Sequence, residues 1–226
     1  MHRQAISDCY RLIGELLLYP EERDGARIDA GRAALRHAPA AVRTPIERFA
    51  RNPEAESVDL YLQTIEMTGA CPLYVGAYLF EEPKSCRGAG LSGRNAYMLE
   101  LANAYRHFGF DLNGRELADF LPVILEFLAI SLERRAWDRI GLRRWIVERR
   151  VTPAIPKMAS RFEKHDSPYA LLVEALDALL HEDAQSMCED PIWLPPADDR
   201  TGESQVAAPC PFRQSSVYGD PDEVTP

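Results

Sequence analysis

Residues 110–129, FDLNGRELADFLPVILEFLA, constrain the fold of this 226-residue chain more than any other stretch. Gly109 closes the pattern before them and Asn113-Gly114 marks a turn. Leu121, Ile124, Leu125, Leu128 and Leu132 then recur at helical spacing. That stripe is the buried face of a central helix, around which the other elements must pack. Asp119 is placed to cap its start. Phe120, Leu121 and Pro122 would fill the first turn, where the missing N–H of a proline costs nothing. Glu116 and Asp119 thereby set two carboxylates at a helix mouth whose free amides and dipole favour negative charge.

The same spacing predicts helices through most of the chain. Ile6, Cys9, Tyr10, Ile13, Leu16 and Leu17 recur at three- and four-residue steps, with Ser7 and Asp8 as capping candidates, and give a first helix to about Tyr19, stopped by Pro20. Residues 24–50 hold two short patterns with Ile28, Ala34, Leu35, Ile46 and Phe49 inward, and Val58, Tyr61, Leu62 and Ile65 form another that Gly69 closes. Residues 71–80, CPLYVGAYLF, fit a short helix or a buried strand. With no second strand pattern to pair with, helix is the expectation. Tyr97, Leu101, Ala104, Tyr105 and Phe108 make a helical stripe that is either core or the lining of a peptide groove. Ser167-Pro168 opens a last helix with Tyr169, Leu172, Val173, Leu176, Leu179 and Leu180 inside. The expected fold is all-α: a single-domain helical bundle over residues 1–188. Beyond it, seven of the 17 prolines and eight acids against Arg200 and Arg213 predict an acidic, proline-rich, disordered tail over residues 189–226.

A formal charge of −9 argues against nucleic-acid binding, which needs a positive surface, and favours a basic partner. Cys9, Cys71, Cys86, Cys188 and Cys210 contain no C-x-x-C, so neither a disulfide framework nor a zinc site is expected, and a reducing cytoplasm is the expected location. Asp8, Arg11 and Glu15 interrupt the apolar N-terminal run before signal-peptide length, and nothing approaches the ~18 apolar residues of a membrane span. Residues 88–93, GAGLSG, match G-x-G-x-x-G but lack a preceding strand, which makes them a loop. Seven arginines between positions 134 and 150 alternate with Glu133, Asp138 and Glu148 around Trp137 and Trp145, the pattern of a solvated face with paired charges. The five histidines are scattered singly. No catalytic set, metal site or cofactor is therefore expected, and the chain reads as a binding protein and not an enzyme. Two alternatives remain open: a nucleotide-binding enzyme using residues 88–93, and a regulatory protein using the arginine-rich helix.

The stretch Glu116-Leu117-Ala118-Asp119-Phe120-Leu121-Pro122, followed by Leu125-Glu126-Phe127-Leu128-Ala129, resembles the nitrate reductase delta subunit (NarJ) group of the TorD/DmsD chaperone family. That family carries Glu-x-x-Asp-His, then Leu-Pro and a Leu-Glu-aromatic-Leu-Ala run, and Phe120 stands where it usually has histidine. Arg94 sits where family members carry an arginine beside a glycine. The resemblance implies a TorD/DmsD/NarJ-type bundle acting as a system-specific chaperone, a monomer or weak dimer. Such a chaperone holds the apo catalytic subunit of a molybdopterin oxidoreductase until molybdenum cofactor insertion. It further implies that a basic or twin-arginine-like N-terminal peptide of that subunit docks as an amphipathic helix. Glu116, Asp119, Phe120, Arg94, Tyr97, Leu101 and Tyr105 are the residues expected to meet it.

Overall fold

A computed structural model describes residues 1–67, 69–81, 92–112, 114, 116–133 and 139–193. Ten α-helices are present among them: α1 Arg3–Leu16, α2 Gly25–Ala34, α3 Ala40–Arg51, α4 Val58–Tyr61, α5 Gly76–Leu79, α6 Gly93–His107, α7 Leu121–Glu133, α8 Ile140–Trp145, α9 Ile155–Lys164 and α10 Ala170–Ser186. No strand occurs among the described residues, so the architecture is the expected all-α bundle. Local chemistry starts the helices where it can. Asp24 accepts from the amides of Ala26 and Arg27 ahead of α2, Ser57 from Leu60 ahead of α4, and Ser92 from Asn95 ahead of α6. Gly69 and Gly109 adopt the left-handed conformation after the helical segments they close.

Helix α7 lies at the centre. Leu121, Ile124, Leu125, Phe127, Leu128 and Ala129 are all buried, so apolar cover extends beyond the one stripe that periodicity marks. At about 1.5–3 kcal/mol per large apolar side chain, this helix contributes on the order of 10 kcal/mol before the entropy of ordering it is subtracted. Its main neighbour is α1, which buries the expected Ile6, Cys9, Tyr10, Ile13, Leu16 and Leu17. The two helices are joined by a hydrogen bond from Ser7 Oγ to the Ala129 carbonyl, 3.2 Å. Helix α6 packs Tyr105 and Phe108 against Phe127, with ring centroids 4.6 and 5.2 Å apart. Helices α3 and α10 pair on the other side, Phe49 meeting Tyr169 at 5.2 Å.

Four expectations are corrected. Residues 71–80 are only partly helical: Leu73 and Val75 bond to Leu121 and Asp119, and Tyr74 makes an isolated antiparallel bridge with Phe120 before α5 begins. The partner needed is a single extended residue at the mouth of α7, which no strand pattern announces. The helix from Val58 changes to a π-helix over Leu62–Met67, as α8 does over Ile146–Val151. The arginine-rich stretch is not uniformly a solvated face. Arg143 is 3% exposed and forms a bidentate pair with buried Asp183, at 2.6 and 2.8 Å. Ser131 Oγ accepts from its Nε, and the Tyr10 hydroxyl donates to Asp183 at 2.7 Å, so that α1, α7, α8 and α10 meet in one polar knot. Residues 189–193, assigned to the tail, are held in place: Arg144 donates to the carbonyls of Cys188 and Asp190, and Trp193 packs edge-on against Trp145. The expectation of disorder for residues 194–226 lies outside the described residues.

Candidate functional site

The mouth of α7 is assembled from three segments. Helix α7 opens at Phe120, whose carbonyl accepts from Ile124, so Asp119 is not its cap. The Asp119 side chain, 0% exposed, turns the other way. It accepts from Arg94 Nε at 2.8 Å and from the Gly76 amide at 3.2 Å, the first N–H of α5, while its backbone carbonyl accepts from Val75. Gly76 makes this approach possible: a Cβ there would lie 2.6 Å from Asp119 Oδ2 and 2.8 Å from Arg94 Cγ. The Arg94 guanidinium also sits over the Tyr74 ring at 5.4 Å, and Tyr74 packs on Phe120 at 5.4 Å. Burial, helped by the Glu116 and Asp119 charges, raises the Tyr74 phenol above its ordinary pKa.

In front of this buried ion pair, a groove of about 320 Å³ runs between α1, α7 and the segment before it. Leu18, Phe110, Leu112, Phe120, Pro122 and Val123 supply apolar surface, and Asp111 and Glu116 stand exposed at the rim. Opposite them, Arg27 reaches Glu126 at 2.5 Å and buried Glu15 at 3.3 Å, and Arg11 lies 3.7 Å from Glu126. This alternating chain of charge along one edge with exposed carboxylates on the other suits an amphipathic helix carrying cations.

The sequence-derived residues are thus divided. Glu116 and Phe120 line the groove, while Arg94 and Asp119 lie behind it and position the loop. Tyr97, Leu101 and Tyr105 are buried in the core, the two tyrosine hydroxyls donating to the carbonyls of Arg150 and Ala118 at 2.8 Å. Of the two readings of that stripe, the structure takes core. Sequence reasoning missed the α1 wall. Its signal was present: Gly14 interrupts an apolar face, leaving room for Leu125 at 3.5 Å from its Cβ position.

The other motifs offer less. Residues 88–91 of the glycine motif lie outside the described residues, and Gly93 opens α6 with its Cβ position 2.7 Å from the Phe80 ring. Within the arginine-rich stretch, Arg143 is spent on Asp183, Arg144 pairs with Glu148 at 2.7 Å and Arg150 with Glu100 at 2.9 Å, while Arg134 and Arg135 lie outside the described residues. Among the described residues no group of three or more His, Cys, Asp or Glu side chains converges to hold a metal, and no helix is long and apolar enough to cross a membrane. Cys86 and Cys210 lie outside them.

Comparison with known proteins gives a consistent picture. The family described as nitrate reductase delta subunit matches residues 31–175, from α2 into α10 and through the whole mouth of α7. The probable nitrate reductase molybdenum cofactor assembly chaperone NarJ of Bacillus subtilis (strain 168) is 29% identical over 171 residues, covering 73% of this chain and 84% of that protein. The nitrate reductase molybdenum cofactor assembly chaperone NarJ of Escherichia coli (strain K12) is 32% identical over 83 residues, 37% of this chain and 32% of that protein. The probable assembly chaperone NarW of the same organism is 25% identical over 132 residues, 58% of this chain and 52% of that protein.

Proposed function

The chain belongs to the nitrate reductase delta subunit family, and we propose on that premise that it is a molybdenum cofactor assembly chaperone and not a catalyst. Its client is the apo catalytic subunit of a molybdopterin oxidoreductase of the nitrate reductase class, held until the cofactor is inserted. What the chaperone grips is the client's N-terminal segment, basic or twin-arginine-like, folded as an amphipathic helix in the groove between α1 and α7. The observation that carries this reading is the groove itself. Apolar surface from Leu18, Phe110, Phe120 and Val123 meets one face of a helix, and exposed Asp111 and Glu116 meet its cations. Arg94 and Asp119 act at one remove, fixing Phe120 and the approach to α7 through the buried pair.

Calorimetric titration of the full chain with a peptide copied from the N-terminus of the client's catalytic subunit tests the proposal. Val123→Glu places a charge on the apolar surface and should weaken binding by more than tenfold. Glu116→Gln should weaken it by about tenfold, the scale of one charged hydrogen bond, with the loss shrinking at high salt. Leu99→Ala, on the exposed face of α6, should leave it unchanged. Wild-type affinity in both groove variants at low salt would remove the groove from the mechanism.

A further inference from the structure

Two arginines, Arg11 and Arg27, line a groove assigned to a cationic guest, and Arg27 already sits where such a guest would pair. From the first turn of α2 it spreads its guanidinium between two other helices: Nη1 lies 3.3 Å from Glu15 Oε2 on α1, and Nη2 lies 2.5 Å from Glu126 Oε2 on α7. A planar fork spans both carboxylates at once, as a compact ammonium does not. The acceptors are firmly placed. Glu15 is buried, its other oxygen accepting from the Asp24 amide at 2.6 Å, and Glu126 belongs to the central helix. Arg27 is held less firmly, with a side chain 44% exposed on a helix whose buried residue is Gly31 alone. Turning it out to solvent unpacks nothing buried. What keeps it in place is the cost of leaving the buried Glu15 carboxylate without a positive partner, and that cost disappears when another cation takes the seat.

We infer that Arg27 is an internal competitor of the client: in the free chaperone it holds Glu15 and Glu126, and a cation of the client's N-terminal segment displaces it as the segment enters the groove. This rests on the groove reading given above and adds its regulation. The exchange keeps both carboxylates paired and sets a threshold for entry. A helix that brings apolar side chains alone gains nothing from Glu15 and Glu126, so the latch favours cationic clients over other amphipathic segments. The apparent affinity is reduced by the fraction of chains in which the latch is open, so engagement for about nine-tenths of the time weakens binding about tenfold.

Calorimetric titration of the full chain at low salt, with the peptide copied from the N-terminus of the client's catalytic subunit and Val123→Glu run alongside, tests this. Arg27→Ala should tighten binding by about tenfold, and Arg27→Lys, whose ammonium pairs one carboxylate at a time, by less. Both gains should shrink at about 0.5 M salt, and both should vanish with a peptide whose arginines and lysines are replaced by glutamine. Arg32→Ala removes the same charge from an exposed position of α2 outside the groove and should change the affinity by less than about twofold. In the wild-type chain the Arg27 Nε–Hε resonance, followed by NMR, should move to the shift and mobility of a solvated guanidinium as peptide is added, a readout that depends on no variant folding. Four results overturn the latch: affinity unchanged or weakened in Arg27→Ala; an equal gain in Arg32→Ala; an equal gain with the neutral peptide; or an Arg27 resonance unmoved at saturation. If Val123→Glu still weakens binding in any of these cases, the groove stands and the latch alone falls. Wild-type affinity in Val123→Glu removes the groove, and the latch with it.

Discussion

A helix-capping aspartate and a buried counter-ion look alike in sequence but respond differently to substitution, and Asp119 is the second. As a cap it would tolerate Asn, because both residues cap well. With Arg94 Nε at 2.8 Å and the Gly76 amide at 3.2 Å, the neutral amide leaves Arg94 without its charge partner. Asp119→Asn should therefore destabilise the fold by about 1–3 kcal/mol, a shift of roughly 2–4 °C in melting temperature per kcal/mol for a chain of this length. An unaltered melting curve would restore the capping role. Gly76→Ala probes the same knot from the other side. Its new methyl would meet Asp119 Oδ2 and Arg94 Cγ inside van der Waals distance, and a loss of about 1–3 kcal/mol is expected. Gly25→Ala, at the open first position of α2, should be neutral or stabilising by up to about 1 kcal/mol. The importance of Asp119 was legible, since two carboxylates beside a leucine-rich helix stand out. Its partners were not, because Arg94 and Gly76 lie 25 and 43 residues away and no local period connects them.

Helical periodicity is a local property, and the elements it governs were accordingly the most readable. The inward faces of α1, α7 and α10 fall where three- and four-residue spacing puts them. The misread elements are those whose conformation is decided by a distant contact: the extended residues before α5, which pair with Phe120, and the arginine-rich run, where one guanidinium of several is drawn inside. Arg143 was hidden among exposed neighbours of the same type, and only Asp183 on α10 distinguishes it. That pairing gives an element-scale prediction. Asp183→Asn leaves a buried guanidinium without its counter-charge and deprives the Tyr10 hydroxyl of an ionised acceptor, so a loss of about 3–5 kcal/mol is expected in chemical denaturation. Arg143→Met/Asp183→Leu, which removes both charges and fills the volume, should recover most of it. A double variant as unstable as Asp183→Asn alone would mean that the knot contributes attraction beyond mutual neutralisation.

At the scale of the whole molecule, buried phenols tie segments of the fold together, and with the buried Cys9 thiol they make it sensitive to alkali. Tyr10 donates to Asp183, Tyr61 to the Leu17 carbonyl, Tyr97 to Arg150 and Tyr105 to Ala118, so these four hydroxyls join segments distant in sequence, while Tyr78 donates to Pro72 within its own segment. Burial is the main cause that raises all five above the ordinary tyrosine value, and burial with the Asp8 charge pushes the Cys9 thiol up to about 12 from a usual 9.0. A raised acid keeps its proton in the folded chain and loses it in the unfolded one. Above the unfolded value the unfolded state binds fewer protons, and stability falls as pH rises. For Cys9 the contribution is intact below about pH 9 and is withdrawn between about 9 and 12, at about 1.4 kcal/mol per pH unit. The tyrosines add the same slope from about pH 10. The melting temperature should thus be insensitive to these groups near neutrality and fall with increasing steepness above pH 9. Cys9→Ala, less stable at neutral pH through its cavity, should show a shallower first decline. Phenolate absorbance of the buried tyrosines should appear together with the loss of helical circular dichroism, because these hydroxyls ionise only when the helices they join come apart. Ionisation that runs ahead of unfolding would mean that water already reaches them in the folded chain.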